Sequence, residues 1–253
     1  MFVEKSPASE AQALAETLVR AHLTGRQVAP SDMPVPPSTA SAMQIQALVK
    51  ERLARPVSGW KVAIGPQQVP VAAPLLELYP DTSALPAFRG CSIEVELAAK
   101  LRKDIPKRES AYERSDILDA IDTAVLGLEV IGGRLGIAEN VPFLSFLADN
   151  LGNRAYVVGD SVPLSVLDEI NGLDCYVTLD GGSLYQGPAS HPAKDPLLPL
   201  LAYANAQNDL LGGLKAGQVV TTGTLCGVLP VNASGLLEAR IAQVGGVSVL
   251  FSD

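Results

Sequence analysis

The stretch Ser92–Leu101 (SIEVELAAKL) constrains this chain more than any other. Ile93, Val95 and Leu97 alternate with Glu94 and Glu96, and a period of two reads as a half-buried strand. Acids two residues apart on a strand share a face, with Cβ atoms roughly 7 Å apart. Like charges that close are costly away from water unless a cation sits between them. Two readings follow: a solvated face with two unpaired acids, or part of a site for a hard divalent cation. Mg²⁺ suits the second, since it takes carboxylate oxygens at about 2.1 Å and keeps water positions open. A third ligand decides between the two.

With 253 residues, the chain has room for one large domain or a core with a small helical attachment. Hydrophobic residues at 47% against 18% charged imply a packed globular protein, not a disordered one. The net charge of −8 leaves no basic surplus for phosphates, so a nucleic-acid partner is not expected. Cys91, Cys175 and Cys226 are far apart and odd in number, which makes neither a disulfide framework nor a zinc site; a cytoplasmic setting is the expectation. The opening MFVEKSPASEAQALAE lacks the basic and apolar regions of a secretory signal. No apolar run approaches the roughly 20 residues that span a bilayer, so no membrane partner is expected. No internal repeat or low-complexity segment is evident.

Leu14, Ala15, Leu18 and Val19 recur at helical spacing and predict a helix over 9–24, capped by Ser9 and ended by Gly25, with His22 on its packed stripe. A proline-rich connector (28–37) leads to a second helix at about 40–54, closed by Pro56. Residues 1–57 are thus expected to form a helical segment and 58–253 a β-rich domain. In the strand 58–65, Trp60, Val62 and Ile64 face one way and Lys61 the other. Lys61 is either a surface lysine or one turned into a pocket, where it could bind an acid or transfer a proton. The proline-rich 66–90 reads as a long loop of the kind that rims or covers a site.

Residues 102–116 are highly charged and read as an exposed loop, after which Ser115 caps a short helix. The run TAVLGLEVIGGRL (123–135) predicts a buried strand with Glu129 alone inside it. Burying a carboxylate without a partner costs several kcal/mol or forces it neutral. Glu129 either pairs with nearby Arg134 or joins Glu94 and Glu96 around a metal. Three carboxylates without histidine or cysteine favour Mg²⁺ or Mn²⁺ over zinc. PFLSFLADNLG (142–152) reads as a short helix ending at Asp149-Asn150, where Asp149 either finishes the helix or faces a site. Strands follow at 155–158 and 173–179, with a hairpin turn at Asp180-Gly181-Gly182. His191 lies in the loop before a helix from about 196 to 211 and reads as structural, not catalytic. The strand 218–228 carries hydroxyls at Thr221, Thr222 and Thr224, and 239–252 is a hairpin turning at Gly245-Gly246.

With these residues placed, the chain resembles the 2-keto-4-pentenoate hydratase branch of the fumarylacetoacetate hydrolase superfamily. The matching pieces are GWKVAIG with Lys61, SIEVELAAKL, LEVIGGRL with Glu129, LADN with Asp149, and LKAGQVVTTGTL with Thr224, followed by EARIAQVGGVSVLFS. Their order and spacing carry the likeness over most of the chain from about residue 58. The resemblance implies an α+β fold built on a mixed, rolled β-sheet of barrel-like character behind an N-terminal helical segment. It implies a divalent metal, Mg²⁺ or Mn²⁺, held by Glu94, Glu96 and Glu129 and chelating the keto (or enol) oxygen and carboxylate of a small oxo-acid. Lys61 would transfer protons and position the carboxylate, Asp149 would line the site and Thr224 would bind substrate. The implied activity is hydration of a 2-hydroxydienoate, a hydro-lyase reaction, by a homo-oligomer. Decarboxylation of a 4-oxalocrotonate-type substrate, another hydrolase or tautomerase reaction of the superfamily, and an inactive metal-binding assembly protein are the alternatives. The chain departs from the pattern at VPVAAPLLE (69–77), which has no Asp where relatives carry an acid followed by Gly after the lysine strand, and at Leu151-Gly152-Asn153-Arg154.

Overall fold

The ends of the first two helices are written in local chemistry. In the computed structural model, which describes residues 7–88, 90–136 and 141–252, α1 (Pro7–Thr24) stops where Gly25 takes φ +68. The Ser38 side chain caps α2 (Thr39–Leu53) by accepting from the Ser41 amide, and left-handed Ala54 ends it. The helices bury Leu14, Leu18, Met43, Ile45 and Val49. Two polar contacts fasten them to the rest. The buried Gln46 amide donates to the carbonyls of Ala72 and Leu147. Glu77 faces His22, Tyr79 and Arg55; burial alone would raise its carboxyl, but these partners bring it down to about 2.

Two mixed sheets follow. The first runs β2 (Pro70–Leu75), β1 (Gly59–Ile64), β10 (Val219–Thr224), β5 (Ser92–Leu101), β6 (Ile121–Ile131), β7 (Asn153–Val162) and β3 (Leu78–Pro80), with β11 (Leu229–Pro230) also paired to β5. It is parallel at β1/β10 and β3/β7 and antiparallel elsewhere, and it curls into a half-barrel. The second sheet is β4 (Ser83–Pro86), β13 (Gly245–Ser252), β12 (Gly235–Ile241), β8 (Asp174–Leu179) and β9 (Gly182–Pro188). Short helices α3 (Arg114–Ala120), α4 (Phe143–Ala148), α5 (Val166–Glu169) and α6 (Leu198–Ala206) complete the chain. On the outer face of the first sheet Trp60, Ile93, Leu97, Leu126 and Leu128 join the main core. On its inner face Leu75, Ala98, Val125, Tyr156 and Val219 form a second, smaller one.

Several sequence expectations are corrected. The long loop at 66–90 contains β2, β3 and β4, each at the edge of its sheet. An edge strand leaves half its amides unpaired, so Pro70, Pro74, Pro80 and Pro86 are tolerated there. The strand around Glu129 ends at Ile131, leaving Arg134 outside it. The cap of α3 is Glu113, in a reciprocal box with Asp116, not Ser115. Helix α4 stops at Ala148 because Asn150 and Leu151 turn left-handed. Likewise α6 stops at Ala206, since Gln207 is left-handed and its amide donates to Ile105 and Ala204 carbonyls. The strand over 218–228 is broken after Thr224. The final hairpin turns at 242–244, ahead of Gly245-Gly246. Those glycines serve packing: a Cβ on Gly245 would stand 2.9 Å from Asp160, and the Gly246 amide donates to the Asp160 carboxylate.

Gly127 on β6 has a similar role. A Cβ there would fall 2.2 Å from the Tyr156 hydroxyl and 2.4 Å from its ring, and Tyr156 is itself fully buried. Gly127→Ala is expected to destabilise the protein by about 1–3 kcal/mol and lower its melting midpoint by roughly 3–10 °C. An unchanged thermal melt would contradict this packing.

Candidate metal centre

The inner face of the first sheet changes character along its strands. Below lie Ala98, Val125 and Tyr156 of the second core; above lie Lys61 on β1, Glu94 and Glu96 on β5, and Glu129 on β6. Glu94 stands directly opposite Glu129 in the antiparallel ladder, and Glu96 opposite Gly127. Carboxylate oxygens of all three glutamates lie within 4.8 Å of one another. Glu96 and Glu129 are fully buried.

Every neighbour of these acids restrains them. Lys61 Nζ donates to Glu129 Oε2 at 2.6 Å and lies 3.5 Å from Glu94 Oε2. Asn153 Nδ2 donates to Glu129 Oε1 at 2.9 Å, and Thr221 Oγ1 donates to Glu96 Oε2. Glu96 Oε1 is buried with no hydrogen-bond partner among the described residues. At an effective dielectric near 20, two charges 4.8 Å apart repel by roughly 3.5 kcal/mol, and one ammonium cannot offset three such carboxylates. Accordingly, burial and the neighbouring acids push Glu94 up to about 7 against the pull of Lys61, and push Glu96 well above the usual carboxylate range. Burial works to lower Lys61, but the three glutamates outweigh it and hold the ammonium well above its ordinary range. An all-oxygen donor set with an unsatisfied buried acceptor and excess negative charge can hold a hard divalent cation.

Lys61 and Glu94 form the floor of a cavity of about 1290 Å³. Its walls are largely apolar, including Ile64, Ile131, Leu135, Phe146, Leu198 and Val228. Among the described lining residues Lys61 is the one cationic side chain. Asp149 reaches the wall, but its two carboxylate oxygens accept from the Arg134 guanidinium and backbone amide. Burial raises the Asp149 carboxyl, against the Arg134 charge. Arg134, the alternative partner for Glu129, is therefore committed elsewhere: it bonds Asp149 and the Asn153 carbonyl. Thr224 lines the cavity, with its hydroxyl donating to the Gly227 carbonyl at 3.0 Å.

Sequence reasoning missed Asn153, which orients Glu129 from the next strand. It lies in the segment where the chain departs from the resembled pattern, and only the β6/β7 register brings it within reach. Gln27, in the connector after α1, also reaches the cavity, its amide donating to the Gly133 carbonyl.

A family model described as fumarylacetoacetate (FAA) hydrolase C-terminal matches residues 59–249. A 2-keto-4-pentenoate hydratase of Paraburkholderia xenovorans is 26% identical, over 94% of this chain and 94% of its own length. Another, of Burkholderia vietnamiensis, is 29% identical over 64% of this chain; that match spans 60% of the relative's length. Among solved structures, a 4-oxalocrotonate decarboxylase from Pseudomonas putida G7, complexed with magnesium and adipate, is similar with a TM-score of 0.81. It is 20% identical, with 99% of this chain and 100% of that one covered, a likeness of fold. Among the described residues, no helix is long and apolar enough to cross a membrane.

A carboxyl raised by folding stabilises the protein fully below its unfolded value near 4.5, and that contribution is lost as pH rises through about 7. Chelator-treated protein is therefore expected to lose more stability between about pH 4.5 and about pH 7 than Glu94→Gln does. Parallel melting curves for the two proteins would contradict the charge crowding.

Proposed function

The chain belongs to the fumarylacetoacetate hydrolase family, and on that premise we propose that it is a divalent-metal-dependent hydro-lyase adding water to a small 2-hydroxydienoate. The observation that carries the reading is the carboxylate triad beside Lys61, of which Glu94 and Lys61 line the floor of a largely apolar cavity and Glu96 and Glu129 lie buried beneath it. Glu94, Glu96 and Glu129 are the residues that would hold Mg²⁺ or Mn²⁺. When bound, such a cation supplies the positive charge that stabilises a negative oxygen at C2 of the substrate.

The chain's own groups supply the rest. Lys61, held as an ammonium by its acidic neighbours, carries a proton to give, not a lone pair with which to take one. Its Nζ gives that proton to C5 of the dienol and, as the amine so formed, takes up the proton released from the 2-hydroxyl, leaving a C3–C4 double bond conjugated to the 2-oxo group. Water then adds across that bond, its hydroxyl to C4 and its proton to C3, and the product is a 4-hydroxy-2-oxo acid. Asp149, bound to Arg134, fixes the wall around Gly133–Leu135 instead of presenting a free carboxylate. With Lys61 as the one cationic lining side chain described, the cavity suits a substrate with one carboxylate and an apolar end. The likeness to 2-keto-4-pentenoate hydratases favours hydration over decarboxylation of a dicarboxylate.

With Mg²⁺ and 2-hydroxypenta-2,4-dienoate, the dienol absorbance is expected to disappear, 4-hydroxy-2-oxopentanoate to accumulate, and chelator to stop both. Glu129→Gln should weaken metal binding at least tenfold in a direct titration while the fold survives. Lys61→Met should lower kcat by about 10²–10⁴-fold. Release of CO₂ from a 4-oxalocrotonate-type substrate with no turnover of the dienoate would replace this reading with the decarboxylase. Metal binding unaffected by Glu129→Gln would remove its basis.

A further inference from the structure

The three threonines of β10 differ in what their hydroxyl protons do. Thr221 donates to Glu96 and Thr224 to the Gly227 carbonyl, so both protons are committed within the protein. Thr222 lines the cavity, and its Oγ1 faces Nε2 of His191 at 3.3 Å. The far side of the imidazole settles which of these two atoms donates. The Ala193 amide donates to Nδ1 at 3.2 Å, so Nδ1 carries the lone pair and Nε2 the proton. Thr222 Oγ1 therefore accepts from His191, and its own proton remains for a partner on the cavity side.

The surroundings hold this arrangement in place. His191 is fully buried, and burial keeps its imidazole neutral. The Asn171 side chain accepts from the His191 amide and donates to the Lys194 carbonyl, locking the loop. Next to Thr222, Gly223 takes φ +142, and a Cβ there would stand 3.2 Å from His191 Nε2. The backbone conformation and the close approach both call for glycine at this position.

We propose that Thr222 is the hydroxyl that donates to an anionic oxygen of the substrate, with His191 as its positioning residue. The inference rests on the reading of this cavity as a 2-oxo acid site. It moves the substrate-binding hydroxyl from Thr224, whose proton is spent on the loop, to Thr222. It also gives the buried histidine a task beyond packing.

The test is calorimetric titration of 2-oxopentanoate, an unreactive monoanionic 2-oxo acid, into Mg²⁺-saturated protein. Thr222→Val should weaken binding about tenfold, the loss of one hydrogen bond to a charged acceptor, and Thr222→Ser should bind as the wild type does. His191→Phe should weaken binding several-fold, and His191→Gln, which keeps an N–H near the Nε2 position, should restore it. The double variant Thr222→Val/His191→Phe should bind no worse than Thr222→Val alone, because the histidine acts through the hydroxyl. If His191→Phe does not fold, the two Thr222 variants and His191→Gln still decide. Wild-type affinity in Thr222→Val, or additive losses in the double variant, would overturn this inference alone. Failure of the Mg²⁺-loaded wild type to bind 2-oxopentanoate would overturn the oxo-acid reading and this inference with it.

Discussion

Three carboxylates crowded around one ammonium on the inner face of the half-barrel set the terms for the rest of the structure. The Glu94–Glu129 pairing is enforced by a long antiparallel ladder, running from Ser92 opposite Ile131 to Leu101 opposite Ile121. A one-residue slip in that ladder would turn every side chain to the other face. The apolar residues alternating with the acids forbid it, because Ile93, Val95, Leu128 and Val130 are all buried in the main core. The hydrophobic effect thus holds together charges that would otherwise separate. Lys61 arrives on β1 and Asn153 on β7, from opposite sides of the β5/β6 pair. The triad is restrained from both flanks but left short of positive charge.

That shortage gives the cavity its chemical direction. Its walls are apolar and its floor is ionic, so a ligand with one charged end and one greasy end fits the polarity gradient. The second ion pair, Arg134–Asp149, is buried close by, and its donors and acceptors are used internally to shape the wall. The segment after α1 joins the same wall, with the Val28 amide donating to the Arg134 carbonyl and Gln27 donating to Gly133. The N-terminal helices therefore touch the site through the connector between them.

Much of this was legible in the chain because it is written in periodicity. Glu94 and Glu96 interrupt an alternating strand, Glu129 interrupts an apolar one, and Lys61 points away from Trp60 and Val62; each is a local signal that survives folding. Long-range pairings left no such trace. Arg134 lies five residues from Glu129, yet it pairs with Asp149 across a turn, and sequence distance could not choose between them. Strands β2, β3 and β4 were hidden because proline is a poor strand former everywhere except an edge, and edges exist only once a sheet is assembled. Gly245-Gly246 carried a turn signal that belonged to a tight crossing with Asp160 and Gly159. His191 gives no sequence sign of its partners, because Thr222 and Asn171 come from elements far away in the chain.

The most direct examination of the account is anomalous diffraction from crystals grown with Mn²⁺. It predicts one strong peak at coordination distance from Glu94, Glu96 and Glu129, with the buried Glu96 Oε1 finding its partner there. A peak elsewhere, with Lys61 still the only cation among the three glutamates, would contradict it.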